Sequence, residues 1–278
     1  VIKALEAKQV VVKRESVLIW IKDISDLTVL PLASAVQSYA EDAKKKHDAF
    51  CSFRNQKSDY EVTIALVLPK DNELDKDLSL SKIFWTLIPS VQSISYDFSA
   101  MKHDTFDAIF DLSEEHAREI GQPTQRHLAQ SYGVMLGSNA NSFPHSVENL
   151  CKEFTPSGKI LSSLEFKFQV DYFPSSPIGG HDRYLYRDAS DGAFPLSISS
   201  ELSLEQRIKN VFECDGVIDT LSFESYLASC LGKPVLELSN DSAMTQWSNP
   251  KYCRMEKLTK EGFERGLKQC FPQLLDHA

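Results

Sequence analysis

The chain has 278 residues, of which 42% are hydrophobic and 25% charged, and its 30 Lys and Arg against 39 Asp and Glu leave a net charge of -9. This composition excludes disorder and collagen-like repeats, and a chain of roughly 300 residues hides about 75% of the surface that its unfolded form exposes. At roughly 150 residues per domain the length suggests two domains or one large one, while the acidic balance repels phosphate backbones and anionic lipid on average.

In chain order, Ser16 to Lys22 (SVLIWIK) is a short β-branched and aromatic run, and apolar residues then recur at Leu27, Leu30, Ala33, Ala35, Val36 and Tyr39. The spacing predicts a strand, a loop and a helix. Three lysines, Lys44 to Lys46, are expected at that helix's C-terminal end, where they suit the negative end of its dipole. A second strand is predicted over Glu61 to Leu68, closed by Pro69, with KDNELDKD as a solvated loop. Ser90 to Tyr96 and Phe106 to Asp111 give two more strands, and Gln125 to Leu136 a helix before the turn-rich GSNANSFP.

The second half repeats the alternation. Lys159 to Tyr172 contains the alternating run LEFKFQVDYF and is followed by a loop, FPSSPIGGHD. Strands are predicted around Tyr184 to Tyr186 and at Pro195 to Ile198, and a helix from Leu204 to Phe212. The strand GVID, a helix over Glu224 to Leu231, the strand PVLEL and a last helix over Thr259 to Cys270 follow. Thr259 suits that helix's N-cap, and Gly262 is a weak spot in it. Such alternation favours α/β architecture with mostly parallel sheets. The expectation is two Rossmann-like domains, 1–150 and 151–278, with an interdomain cleft.

No run approaches the roughly 18 to 20 apolar residues that span a bilayer, and the opening VIKALEAKQVVVKRES scatters charges where a signal peptide needs an apolar stretch. The six cysteines form neither Cys-x-x-Cys nor a dense framework, which favours free thiols in a reducing compartment. A cytoplasmic protein without structural zinc is expected.

The most informative stretch runs from Ser203 to Ser239, where a strand ends in Asp219 and opens through Thr220 and Ser222 into a helix. In open parallel sheets ligands collect at the carboxyl ends of strands. The free amides and positive dipole end of a helix suit phosphate there. Thr220, Ser222 and Ser225 offer hydroxyls and Glu224 an acceptor for ribose. The structural alternative is that Ser222 merely caps the helix and Glu224 offsets its dipole.

That order, an S-L-x-E helix, a strand ending in Asp, a Ser/Thr turn, an alanine-bearing helix and then L-G-K-P-V, resembles the C-terminal half of GT-B glycosyltransferases. In particular it is similar to the ADP-heptose lipopolysaccharide heptosyltransferase family, as are Trp247 and Pro250 in QWSNP. VLIWIKDISDLTVLP resembles the family's first strand, loop and proline-containing helix, with Asp26 near its catalytic aspartate. FDAIFDLSEEHAREIGQPTQRHLAQSYGVMLG resembles its D-x-x-I-D-L strand and the histidine-bearing region behind it. The chain departs from the pattern at Ser25, which replaces a glycine, and in DTLSFESY. There Phe223 and Tyr226 stand where the D-[ST]-G-x-x-H signature has glycine and histidine.

The resemblance implies an inverting, metal-independent transfer of sugar from a nucleotide-sugar to an acceptor hydroxyl, with no further cofactor. Asp26 or Asp23 would be the base, with Lys22, Asp219, Thr220, Ser222, Glu224 and Ser225 around the donor. Each has a plainer reading: Asp26 as a loop or cap residue, Lys22 as a solvated strand-end lysine. Arg126, His127 and His181 are further residues of the expected cleft, and His116 a weaker one. The acceptor is open among a glycan, a lipid-linked sugar, a protein and a modified DNA base, with no clear nucleic-acid patch and no membrane span. The alternatives are a binding protein that keeps the scaffold without its chemistry and, less favoured, a sugar-nucleotide epimerase.

Overall fold

The computed structural model describes residues 9–70, 79–121, 127–151, 159–162, 196–197, 203–219, 222–239 and 248–272. They fall into two compact units, the first of residues up to 70 and 81–145, the second of residues 79–80 and those from 146 onward.

The first unit is built on a four-stranded, all-parallel sheet of order β3-β2-β1-β4, from β1 (Val10–Ile21), β2 (Lys57–Val67), β3 (Val91–Ser95) and β4 (Ala108–Leu112). Its centre is apolar because the β-branched run forms the inner end of β1: Val17, Leu18, Ile19 and Ile21 are buried. The strand also extends six residues further back than the apolar run, since Val10 to Glu15 pair with β2 alone. Charges are tolerated where one edge is open.

Helix α1 (Asp26–Phe53) is 28 residues long. Its first half buries Val29, Leu30, Leu32, Ala33 and Val36. No breaker interrupts the polar second half, and the turn comes only at Asn55, with φ 55. Lys44, Lys45 and Lys46 are therefore inside the helix and not at its end. Lys44 and Lys45 form i,i+4 pairs with Asp48 and Glu41, which is how a solvated helix face holds them. Helices α2 (Ser79–Leu87), α3 (Glu114–Gly121) and α4 (Leu128–Met135) complete the unit, α4 packing on α1 and α3.

The second unit has a five-stranded parallel sheet of order β6-β5-β7-β8-β9. Its strands are β5 (Lys159–Ser162), β6 (Leu196–Ser197), β7 (Cys214–Asp219), β8 (Val235–Ser239) and β9 (Cys253–Lys257). Helices α5 (Leu204–Glu213), α6 (Phe223–Cys230) and α7 (Lys260–Cys270) pack around it. Thr259 caps α7, its hydroxyl accepting from the Gly262 amide at 3.1 Å. Gly262 is a close approach and not a weak spot, because a Cβ there would lie 2.2 Å from the Lys257 carbonyl oxygen. Both sheets are parallel α/β layers, the expected fold class. LEFKFQVDYF, FPSSPIGGHD, Tyr184 to Tyr186 and Trp247 lie outside the described residues. No helix among those described is long and apolar enough to cross a membrane.

Candidate functional site

Each sheet has one point where strand order reverses. In the first unit it lies between β1 and β4, and in the second between β5 and β7. Connections diverge there, leaving a crevice beyond the carboxyl ends of the strands. The candidate residues cluster at these two places, each within its own unit.

In the first unit the loop after β1 meets the start of α3, which follows β4. Asp23 accepts from the Glu114 amide through Oδ1 at 2.5 Å, satisfying a first-turn donor of α3. Ser25 is the N-cap of α1: its amide donates to Thr28 Oγ1 at 2.9 Å, and its hydroxyl donates to Glu114 Oε2 at 2.8 Å. A glycine at Ser25 would lack this tie across the switch point. Glu114 Oε1 also receives Arg118 Nε and Nη2, at 2.8 and 2.5 Å. Asp26 opens α1, half-buried, with Oδ1 accepting from the Leu27 amide at 2.8 Å.

Lys22 corrects one expectation. Its ammonium is 2.5 Å from Asp111 and lies over the Trp20 ring, so it already has an anionic partner on β4 and is not a lone cation waiting for phosphate. Lys22 is thus matched to Asp111 and Arg118 to Glu114, with Asp23 and Asp26 on the loop and helix start beside them. Sequence reasoning missed Tyr132. It projects from α4 with its hydroxyl buried beside Thr28. Burial first, then the nearby charges of Glu114 and Asp23, push the phenol well above its ordinary value. Nothing in the periodicity of α4 distinguishes it from a core tyrosine.

In the second unit β7 ends on Asp219, which is buried and accepts from the Ser222 hydroxyl at 2.5 Å. Ser222 in turn caps α6. Its hydroxyl accepts from the Ser225 amide at 3.1 Å and its own amide donates to Ser225 Oγ at 3.0 Å. The capping role weighed as the plain alternative is present in full. Glu224 is not an open ribose acceptor: it is 1% exposed and gripped by Arg207 of α5, Nε to Oε1 at 2.5 Å and Nη2 to Oε2 at 2.8 Å. Phe223 and Tyr226 are core side chains, and the Arg207 guanidinium stacks over the Phe223 ring at 5.3 Å. On the neighbouring strand Glu237 faces Asp219 in register. Its carboxyl is buried and accepts from the Ser248 hydroxyl, with Ser225 and Cys253 also bonded to it. Burial raises its carboxyl above the usual range, partly offset by the hydrogen bonds from Ser248, Ser225 and Cys253.

Thr220, Arg126 and His181 lie outside the described residues. His127 is the N-cap of α4, Nδ1 accepting from the Ala129 amide at 3.1 Å, and its ring meets Phe143 edge-on. That makes it a buried helix cap. His116 is exposed on α3 beside Glu119. Among the described residues no group of three His, Cys, Asp or Glu is placed to hold a metal ion, and Cys51, Cys214, Cys230, Cys253 and Cys270 are free thiols.

No family model and no curated protein matches the sequence. Solved structures similar to this chain include the E. coli heptosyltransferase WaaC with ADP, at 10% identity and a TM-score of 0.49 over 91% of this chain and 99% of that one. E. coli ADP-heptose lps heptosyltransferase II gives 10% identity and 0.49 over 94% and 99%. A putative UDP-N-acetylglucosamine 2-epimerase from Listeria monocytogenes gives 11% and 0.48 over 95% and 88%.

Proposed function

We propose that the protein transfers a sugar from a nucleotide-sugar to an acceptor hydroxyl by inversion, without a metal ion. The observation that carries this reading is the placement of two carboxylates, Asp23 and Asp26, at the carboxyl end of the central strand of one parallel sheet. It is joined by the motif resemblance and by a capped helix start at the switch point of the other sheet.

In the proposed reaction the acceptor oxygen attacks the anomeric carbon, its proton passes to a carboxylate, and the bond from that carbon to the diphosphate breaks. We assign the base to Asp26 on the motif resemblance, each aspartate having one oxygen on a backbone amide, Asp23 on that of Glu114 and Asp26 on that of Leu27. The capping exchange between Ser222 and Ser225 satisfies two amides at the start of α6. The amides of Phe223 and Glu224 are then the donors that would receive the departing diphosphate. Arg207, by holding Glu224 away from solvent, keeps a carboxylate from repelling that anion. The donor would be a nucleoside diphosphate sugar, with the acceptor at the first unit.

A second reading has its own observation. Asp219, Glu224 and Lys22 each already have a partner within the chain, which suits a binding protein that keeps the scaffold without its chemistry. A thermal-shift screen with ADP, UDP, GDP, CMP and their sugar conjugates separates the two. Ligand at 100 times its dissociation constant adds about 2.7 kcal/mol of stability. A shift with one nucleotide and release of that nucleotide from its conjugate upon addition of acceptor supports transfer. A shift without turnover supports the binding protein, and no shift at all overturns both.

A further inference from the structure

At the opposite end of the first sheet, β1 continues past its partner β4. Main-chain groups of its even-numbered residues point toward β4: Lys22 donates to the Leu112 carbonyl at 2.9 Å, and the Ser16 carbonyl accepts from Asp107 at 2.8 Å. Asp107 ends the pairing, its carboxylate taking the Ser16 amide at 2.7 Å. By the same alternation Arg14, Val12 and Val10 turn their amides and carbonyls to that side, where no described strand meets them. The side chains of Val12 and Val10 are 60% and 52% exposed. Between this edge and α1 is a cavity of about 590 Å³, with Val11, Tyr39, Ala43, Lys46, Phe50 and Tyr60 in its walls.

The charges of this groove are almost all engaged. Glu15 accepts from Lys13 at 2.8 Å, from the Tyr60 hydroxyl at 2.9 Å and from the Tyr39 hydroxyl at 3.4 Å. Burial pushes the Tyr39 hydroxyl up to about 12 and Tyr60 further, so both stay donors at neutral pH. Asp42 accepts from the Asn139 amide at 3.0 Å, and the His47 ring meets Ser58 Oγ at 2.8 Å. Lys46 makes no ion pair among the described residues, and it is exposed beside an apolar wall.

We propose that this open edge and groove bind an extended peptide as an added strand of the sheet. The peptide places an apolar or aromatic side chain between β1 and α1 and an acidic side chain beside Lys46. Ladder hydrogen bonds to Val10, Val12 and Arg14 supply affinity, and the groove supplies selectivity.

The probe is a fluorescein-labelled seven-residue peptide in which threonine and valine alternate around a central phenylalanine followed by glutamate, titrated against the full chain by anisotropy. Saturable binding is expected, at least tenfold weaker for a peptide N-methylated on the alternate amides that face β1. It should be similarly weaker for Lys46→Glu, a solvent-facing change. Val12→Pro should abolish binding while leaving the melt nearly unchanged, because the amide it removes faces the open edge and not β2. Absence of saturable binding, equal binding by peptides methylated on either alternate set, or a dimer in sedimentation that Val12→Pro dissolves would each overturn the proposal.

Discussion

Arg207 and Glu224, 17 residues apart, join α5 to α6 through two nearly parallel N–H to oxygen bonds, with the carboxylate closed off from solvent. A buried pair of this kind gains little over an apolar pair of the same shape, but removing one partner strands the other charge. Arg207→Ala is expected to lower stability by about 3 to 5 kcal/mol. The double change Arg207→Met with Glu224→Leu should cost much less than the single one. Urea melts of the three proteins check this, and equal losses for single and double variants would show that packing over Phe223, and not the charge pair, is what Arg207 contributes.

Asp23 and Asp26 are three residues apart but differently employed. Asp23 supplies a hydrogen bond to the start of α3, so Asp23→Ala should lower the melting temperature through a cap loss of about 0.5 to 2 kcal/mol. Asp26→Asn keeps an oxygen for the Leu27 amide and should leave the fold intact while reducing transfer by about 10²- to 10⁴-fold, the range for a lost general base. Turnover with the donor found by thermal shift, set beside each variant's melt, separates the two roles. A full loss of turnover in Asp23→Asn with Asp26→Asn active would reverse the assignment.

Gly262 tests a sign. Alanine is favoured over glycine in a helix by about 1 kcal/mol, yet its Cβ would meet the Lys257 backbone oxygen, which cannot swing aside as a side-chain tip can. Steric cost should win: Gly262→Ala is expected to destabilise by about 1 to 3 kcal/mol. A raised melting temperature would mean that the first turn of α7 yields without cost.

What was legible in the chain follows from what is local. Short apolar-rich runs such as Val17 to Ile21 and Val235 to Leu238 announce buried parallel strands, since both faces of such strands are covered. β9 was not legible, because CRMEK alternates charge with small apolar groups and has no such run. The length of α1 was misread for want of a breaker before Asn55, and the front of β1 because its open edge admits charge. At the sites, Asp23, Asp26, Asp219 and Ser222 could be found from strand ends and caps. The partners that decide their chemistry could not. Glu114 reaches Ser25 across 89 residues, Arg207 reaches Glu224 from another helix, and Tyr132 is set apart only by what surrounds its hydroxyl.

Glu237 carries the clearest pH dependence. Burial lifts its carboxyl, so the folded chain holds a proton that the unfolded chain releases above about 4.3. Over the window from that value up to the raised folded one, the unfolded state loses protons and the folded state keeps them, so this group's contribution to stability falls as pH rises. Glu237→Gln preserves shape and an oxygen for the Ser248 hydroxyl but cannot ionise. Its melting temperature should exceed that of the parent chain at pH 8, and the difference should nearly close as pH is lowered to 4, where the parent's carboxyl is protonated in the folded state and mostly so in the unfolded one. Paired melts at pH 4, 6 and 8 measure that difference directly. A gap that is constant across the three would place the effect in packing, and a gap that widens toward pH 4 would mean that Glu237 is ionised and stabilising in the folded protein.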